Sequence, residues 1–126
     1  GNPYPDFKSL RDDITNRTIS GAFRSGWQGD YPGLGNFLVP LYGTGGSSND
    51  GDYSNPDFDA KLKEAAGAKT SEESNALYNQ SQETLFKDLP AIPLWYSNAS
   101  GGYSENVSNV EFGWNSTPLY YKITRK

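Results

Sequence analysis

The chain has no cysteine, no histidine and no methionine among its 126 residues. Without cysteine there is no disulfide, no thiolate zinc site and no thiol nucleophile. Without histidine there is no imidazole base, and most zinc and copper sites lose their usual ligand. Those absences remove most common catalytic constellations. Positive charge is also short: 11 Lys and Arg stand against 15 Asp and Glu, a formal net charge of −4. A net negative chain lacks the cationic surface that releases phosphate counterions, which excludes nucleic acid as a partner. No run approaches the ~18 apolar residues that a membrane span needs. The length allows one domain of ~100–200 residues at most. The missing methionine, absent even at position 1, predicts a processed protein or a piece of a longer one, and Gly1-Asn2 reads as an expression remnant.

Aromatic residues are plentiful, with 9 Tyr, 6 Phe and 3 Trp, beside 14 Gly and 8 Pro. That mix suits a binding surface on which Tyr and Trp combine apolar area with a polar tip. It suits equally a small core built from rings in place of Leu and Ile. Composition leaves both readings open.

Hydrophobic spacing places the elements. Phe7, Leu10 and Ile14 share one helical face, so residues 5–17 read as a helix. Residues 18–27 read as a strand weakened by Gly21 and Gly26. Asp30-Tyr31-Pro32-Gly33 is a turn by its chemistry. Residues 36–42 form one or two helical turns, limited by Pro40, and residues 43–54 form a loop that buries no core. Asn55-Pro56-Asp57 starts a helix with Phe58, Leu62 and Ala65 as its apolar stripe and Gly67 as its stop. Thr70 and Glu73 match a capping box, opening a helix that carries Leu77, Tyr78, Ser81, Leu85 and Phe86 and stops at Leu89-Pro90. Residues 91–97, 107–112 and 119–124 read as short strands. The fold class is therefore α/β, with an αα-hairpin packed on a short mixed sheet.

Four blocks stand in order along the chain: Gly26-Trp27-Gln28-Gly29-Asp30-Tyr31-Pro32 with Asn36-Phe37-Leu38; Tyr53-Ser54-Asn55-Pro56-Asp57-Phe58-Asp59; Leu77-Tyr78-Asn79-Gln80-Ser81-Gln82; and Lys87-Asp88-Leu89-Pro90-Ala91-Ile92-Pro93-Leu94. From about Phe7 to Ile123 the chain resembles the C-terminal part of the extracytoplasmic peptide-binding proteins of ABC importers, the oligopeptide/dipeptide (family 5) solute-binding class. The resemblance implies a type II periplasmic-binding-protein-like lobe. Residues 1–126 would be the end of the second lobe plus the tail returning to the first, with no complete second domain. It implies a peptide ligand, a membrane permease as partner, no catalysis and no cofactor. It implies a place outside the membrane, periplasmic or lipid-anchored on the outer face of the cell. The rest of the polypeptide, lobe I, would be the segment's structural partner, and alone the segment would self-associate through unpaired strand edges.

The resemblance also points to a site. Its members pair an acidic side chain in the Trp-x-x-Asp-Tyr block with the peptide's α-ammonium, and Asp30 matches that position. A carboxylate in a dry cleft attracts an ammonium far more than one in water. Trp27 would wall a side-chain pocket and offer its indole N–H. Gln28 and Gly29 would present backbone groups to an extended peptide, and Tyr31 would flank it. Members often carry an acidic residue shortly after the Pro; here Gly33 follows Pro32, which leaves the ligand class open. The bland alternative for Asp30 is a turn residue bonding its own backbone. Asn49-Asp50-Gly51-Asp52, with Asp57 and Asp59, lacks the spacing of a calcium loop and its closing Glu, so it reads as a solvated loop and helix cap. Two other functions compete. One is a carbohydrate-binding module stacking sugars on Trp95, Tyr96, Tyr103, Trp114, Tyr120 and Tyr121; the other is a hydrolase pairing Asp30 with Glu83 or Glu111.

Overall fold

A computed structural model describes residues 1–126. The chain divides into two compact units: Gly1–Trp27 with Gly33–Pro90, and Gln28–Pro32 with Ala91–Lys126. The first unit contains four helices, α1 Phe7–Thr15, α2 Gly35–Tyr42, α3 Pro56–Ala66 and α4 Ser71–Asp88. The second contains β1 Val107–Ser108, a 3₁₀ turn at Tyr120–Lys122, and β2 Thr124–Arg125.

Local chemistry explains each helix boundary. Asp6 caps α1 by accepting from Ser9 N at 2.7 Å, and that bond holds its carboxyl below the usual carboxylate range. The helix is shorter than residues 5–17 because Arg17 adopts a left-handed φ of 57°. Asn55 Oδ1 accepts from Asp57 N at 3.0 Å and Phe58 N at 3.2 Å, with Pro56 in the first turn of α3. Gly67 follows α3 with φ −92°, so the stop does not use glycine's left-handed freedom. Thr70 Oγ1 accepts from Glu73 N at 3.1 Å, while Glu73 Oε2 accepts from Lys69 N at 3.2 Å. The capping box therefore closes one residue upstream of its usual backbone donor. Leu89 ends α4 in a left-handed conformation, φ 48°, directly before Pro90, which cannot continue the helix.

Within the first unit α3 and α4 form the expected hairpin. Its stripe meets α2: Leu38, Phe58 and Leu62 form the core, with Leu34, Tyr42, Tyr53, Tyr78 and Leu85 packed around them. Phe58 is fully buried and meets the Tyr53 ring edge-on, centroids 5.8 Å apart. Burial of a side chain of that size stabilises by roughly 1.5–3 kcal/mol. Ser81, also fully buried, donates to the Tyr78 carbonyl at 2.8 Å.

The loop after α2 is ordered by one buried asparagine. Asn49 Nδ2 donates to the carbonyls of Gly43 and Tyr53, at 3.0 and 2.7 Å, and its Oδ1 accepts from Tyr53 N at 3.0 Å. A Cβ on Gly46 would lie 2.6 Å from the Pro40 carbonyl oxygen, so only glycine fits against the end of α2. The acids that suggested a calcium loop are otherwise engaged. Asp50 takes a two-bond fork from Arg11, Asp52 takes one from Arg17, and Asp59 accepts from Thr44 N and Oγ1.

The expected strands largely fail to form. Residues 18–27 and 91–97 join no ladder. Residues 107–112 contribute only β1, which pairs antiparallel with β2 through Val107↔Arg125 and Ser108↔Thr124. Residues 119–124 instead begin with the 3₁₀ turn, and a lone bridge joins Phe112 to Pro118. The physical reason is that alternation marks a face, whereas a strand exists only with a neighbour to bond. The sheet is thus a two-residue antiparallel ribbon, not a mixed sheet. The α/β character survives as helices plus a short ribbon, and four helices beside so little strand exclude the β-sandwich of a carbohydrate-binding module. No helix is long and apolar enough to cross a membrane.

Candidate functional site

The boundary between the two units falls inside the Trp-x-x-Asp-Tyr block, after Trp27. Trp27 is half-buried, and its Nε1 is buried without a hydrogen-bond partner. An indole donor left dry costs roughly 1–3 kcal/mol. Gln28, Gly29, Asp30 and Tyr31 lie together in the second unit.

Within that unit a turn grips the block. Gln28 Nε2 donates to the Asn115 carbonyl at 2.5 Å and to Thr117 Oγ1 at 3.3 Å. Gly29 is buried, and its carbonyl accepts from Asn115 Nδ2 at 3.1 Å, which uses one of its lone pairs. The Asn115 amide is itself oriented, because its Oδ1 accepts from Thr117 N at 3.2 Å. The turn holding Asn115 is closed by Gly113 N to the Thr117 carbonyl at 2.8 Å and Ser116 N to the Gly113 carbonyl at 3.0 Å. Asp30 and Tyr31 follow on an exposed bend, Tyr31 at 54% exposure. The block thus places a gripped stretch, Gln28-Gly29, before two presented side chains.

Sequence reasoning did not single out Asn115 and Thr117 for this role, since only their Asn-Ser-Thr spacing marks them, and that spacing says nothing of position 29. It also missed a cluster in the first unit. Tyr53 Oη donates to Asp88 Oδ2 at 2.6 Å, and Asn55 Nδ2 donates to the same oxygen at 2.8 Å. Desolvation, and then the Asp88 carboxylate, push the Tyr53 phenol up to about 12. The bonds from Tyr53 and Asn55 hold the Asp88 carboxyl below its ordinary value. This cluster ties the loop and the start of α3 to the end of α4.

Other candidates are occupied or shallow. Glu111 is paired with Lys122 at 2.6 Å, which weighs against its use with Asp30 as a hydrolytic pair. No three acidic side chains converge to hold a metal ion. A shallow cavity of about 600 Å³ at the turn between α3 and α4 is lined by Lys63, Gly67, Lys69 and Leu77, and none of the block residues reaches it.

No family model matches the chain. Two curated proteins do. The chain is 37% identical over 98 residues to Heme-binding protein A of Haemophilus influenzae, which covers 76% of this chain and 17% of that protein. It is 34% identical over 78 residues to the Periplasmic murein peptide-binding protein MppA of Escherichia coli, covering 61% of this chain and 14% of that protein. The chain is homologous to a stretch of the family 5 solute-binding proteins. It spans less than a fifth of the length of the curated relatives it matches. Both relatives are named as binding proteins, and one as periplasmic.

Proposed function

We propose that this chain is the C-terminal part of a two-lobed extracytoplasmic receptor that captures peptides and delivers them to an ABC permease. It would lie outside the membrane, in the periplasm or held by a lipid anchor. One observation carries the reading: relatives named for two different cargoes share this stretch, so the stretch belongs to a common capture scaffold. Asp30, exposed on a bend whose preceding residues are gripped, supports it. A peptide is favoured here because an exposed carboxylate suits an ammonium end, while of the usual axial haem ligands the stretch offers only Tyr. Capture would be a shift toward a closed form, driven by contacts that the ligand makes only there.

The second unit supports the reading from another side. Ile92, Leu94 and Tyr96 alternate along an extended run and stand 77%, 65% and 102% exposed. Ala91, Pro93 and Trp95 lie between them, so both faces of the run are apolar, as in a strand covered on two sides. We assign its cover to the rest of the same polypeptide, lobe I. Alone, the segment would self-associate through this run. The test is Asp30→Asn in the full-length receptor, with trialanine carrying a free amino end and its N-acetyl form as probes. Loss of a charge-assisted bond predicts roughly 10–100-fold weaker binding of free trialanine, with the acetylated form little changed. Equal losses for both would remove Asp30 from the site.

A further inference from the structure

We infer that Asn115 is a positioning residue that sets how Asp30 meets the ligand's amino end. The inference rests on the reading of Asp30 just given and adds a residue to it. No helix or strand includes residues 28–31. Side-chain bonds grip the first two of these residues: Gln28 Nε2 on the Asn115 carbonyl and Thr117 Oγ1, and Asn115 Nδ2 on the Gly29 carbonyl. Asn115 holds the decisive end. Its Oδ1 is fixed by Thr117 N, which turns Nδ2 toward Gly29. The Gly29 carbonyl defines the plane of the Gly29–Asp30 peptide, and peptide planarity passes that orientation to the Asp30 backbone. Glycine at 29 cannot resist rotation by itself, since it lacks the Cβ that restricts φ and ψ. The orientation of the Asp30 backbone, from which the carboxylate projects, therefore depends on an amide 86 residues away in sequence.

The experiment uses the full-length receptor and the same two trialanine probes. Asn115→Asp keeps the acceptor for Thr117 N and deletes the donor to Gly29; Asn115→Leu deletes both and adds no charge. Each is expected to weaken free trialanine about tenfold, the size of one lost bond to a shaped site, and to leave the N-acetyl form nearly unchanged. Added to Asp30→Asn, either change should cost almost nothing more, because a residue acting through Asp30 has nothing left to position. Hydrogen exchange at residues 29–31 of the ligand-free receptor should quicken in both variants. Additive losses with Asp30→Asn, or wild-type discrimination in Asn115→Leu, would overturn the assignment. If the unmodified receptor binds neither probe, the peptide reading fails; exchange then decides Asn115 separately, with unaltered rates at 29–31 ending its role as the grip.

Discussion

Every buried apolar side chain of this chain lies in the first unit: Ile14, Leu38, Phe58, Leu62 and Ala65. The second unit has none, and it exposes Ile92, Leu94, Trp95, Tyr96, Trp114, Tyr120 and Tyr121. Apolar residues are thus available in both, and what differs is the neighbour. In the first unit, two helices pack along their length and α2 closes over them, so a stripe at helical spacing finds a partner within a few dozen residues. In the second, a two-residue ribbon and a few turns hold the chain by polar bonds, with apolar side chains such as Val107, Phe112 and Leu119 no more than half-buried. A unit without a core is held in register by specific hydrogen bonds, and such bonds make only small net contributions to stability.

The comparison breaks most readily at Phe58. Phe58→Ala removes a ring with no exposure, so it should cost about 3–5 kcal/mol. Urea unfolding followed by helical circular dichroism checks this. A cost under 1 kcal/mol would mean that the first unit has no specific core either.

Gly46 asks whether backbone fit matters as much as burial. Gly46→Ala drives a Cβ into the Pro40 and Val39 carbonyls, at 2.6 and 2.8 Å, and backbone cannot step aside cheaply. The expected loss is about 1–3 kcal/mol. Gly35→Ala meets the Tyr78 hydroxyl at 2.6 Å, which is the tip of a movable side chain, and should cost less. The order of the two thermal midpoints tests the distinction.

The helical hairpin was legible in the sequence because its signals are local. Asn55-Pro56, the Thr70–Glu73 spacing, the Phe58-Leu62-Ala65 stripe and Leu89-Pro90 each act within one or two turns, and the structure places helix ends beside them. The strands were not legible, because alternation in 91–97 or 119–124 cannot reveal whether a partner edge exists. The candidate block was visible as Trp27 to Tyr31. Its support was not, since no residue pattern links Asn115 to a carbonyl at position 29. The buried role of Asn49 was hidden likewise inside a Gly- and Ser-rich stretch that reads as solvated.

Tyr53 sharpens the comparison through pH. Its phenol keeps its proton up to about 12 in the folded chain, against about 10 when unfolded. The neutral form's contribution is therefore complete below about pH 10 and is lost as pH rises from there toward about 12. Asp88 runs the other way. Its depressed carboxyl contributes above the ordinary carboxylate range and loses that contribution as pH falls below about 4. Tyr53→Phe should lower stability at pH 7 by about 1–2 kcal/mol, for one bond to a carboxylate. It should also flatten the alkaline limb of the stability profile. An unchanged alkaline limb would show that another group governs it.

The smallest effect belongs to the second unit, and it is the most discriminating. Tyr96 is 102% exposed, so Tyr96→Ser removes no packing from this chain. At concentrations low enough to keep the short chain monomeric, its thermal midpoint should correspond to a change within about 0.5 kcal/mol, the range of a surface substitution. In the full-length receptor the same change should cost about 3–5 kcal/mol, because the ring would there be buried in a two-sided strand. Measuring both proteins separates two explanations of an exposed aromatic run. A large loss in the short chain would mean that Tyr96 already packs there. Equal, negligible losses in both would mean that the run stays at the surface in the longer protein, and the second unit's lack of a core would then be its finished state.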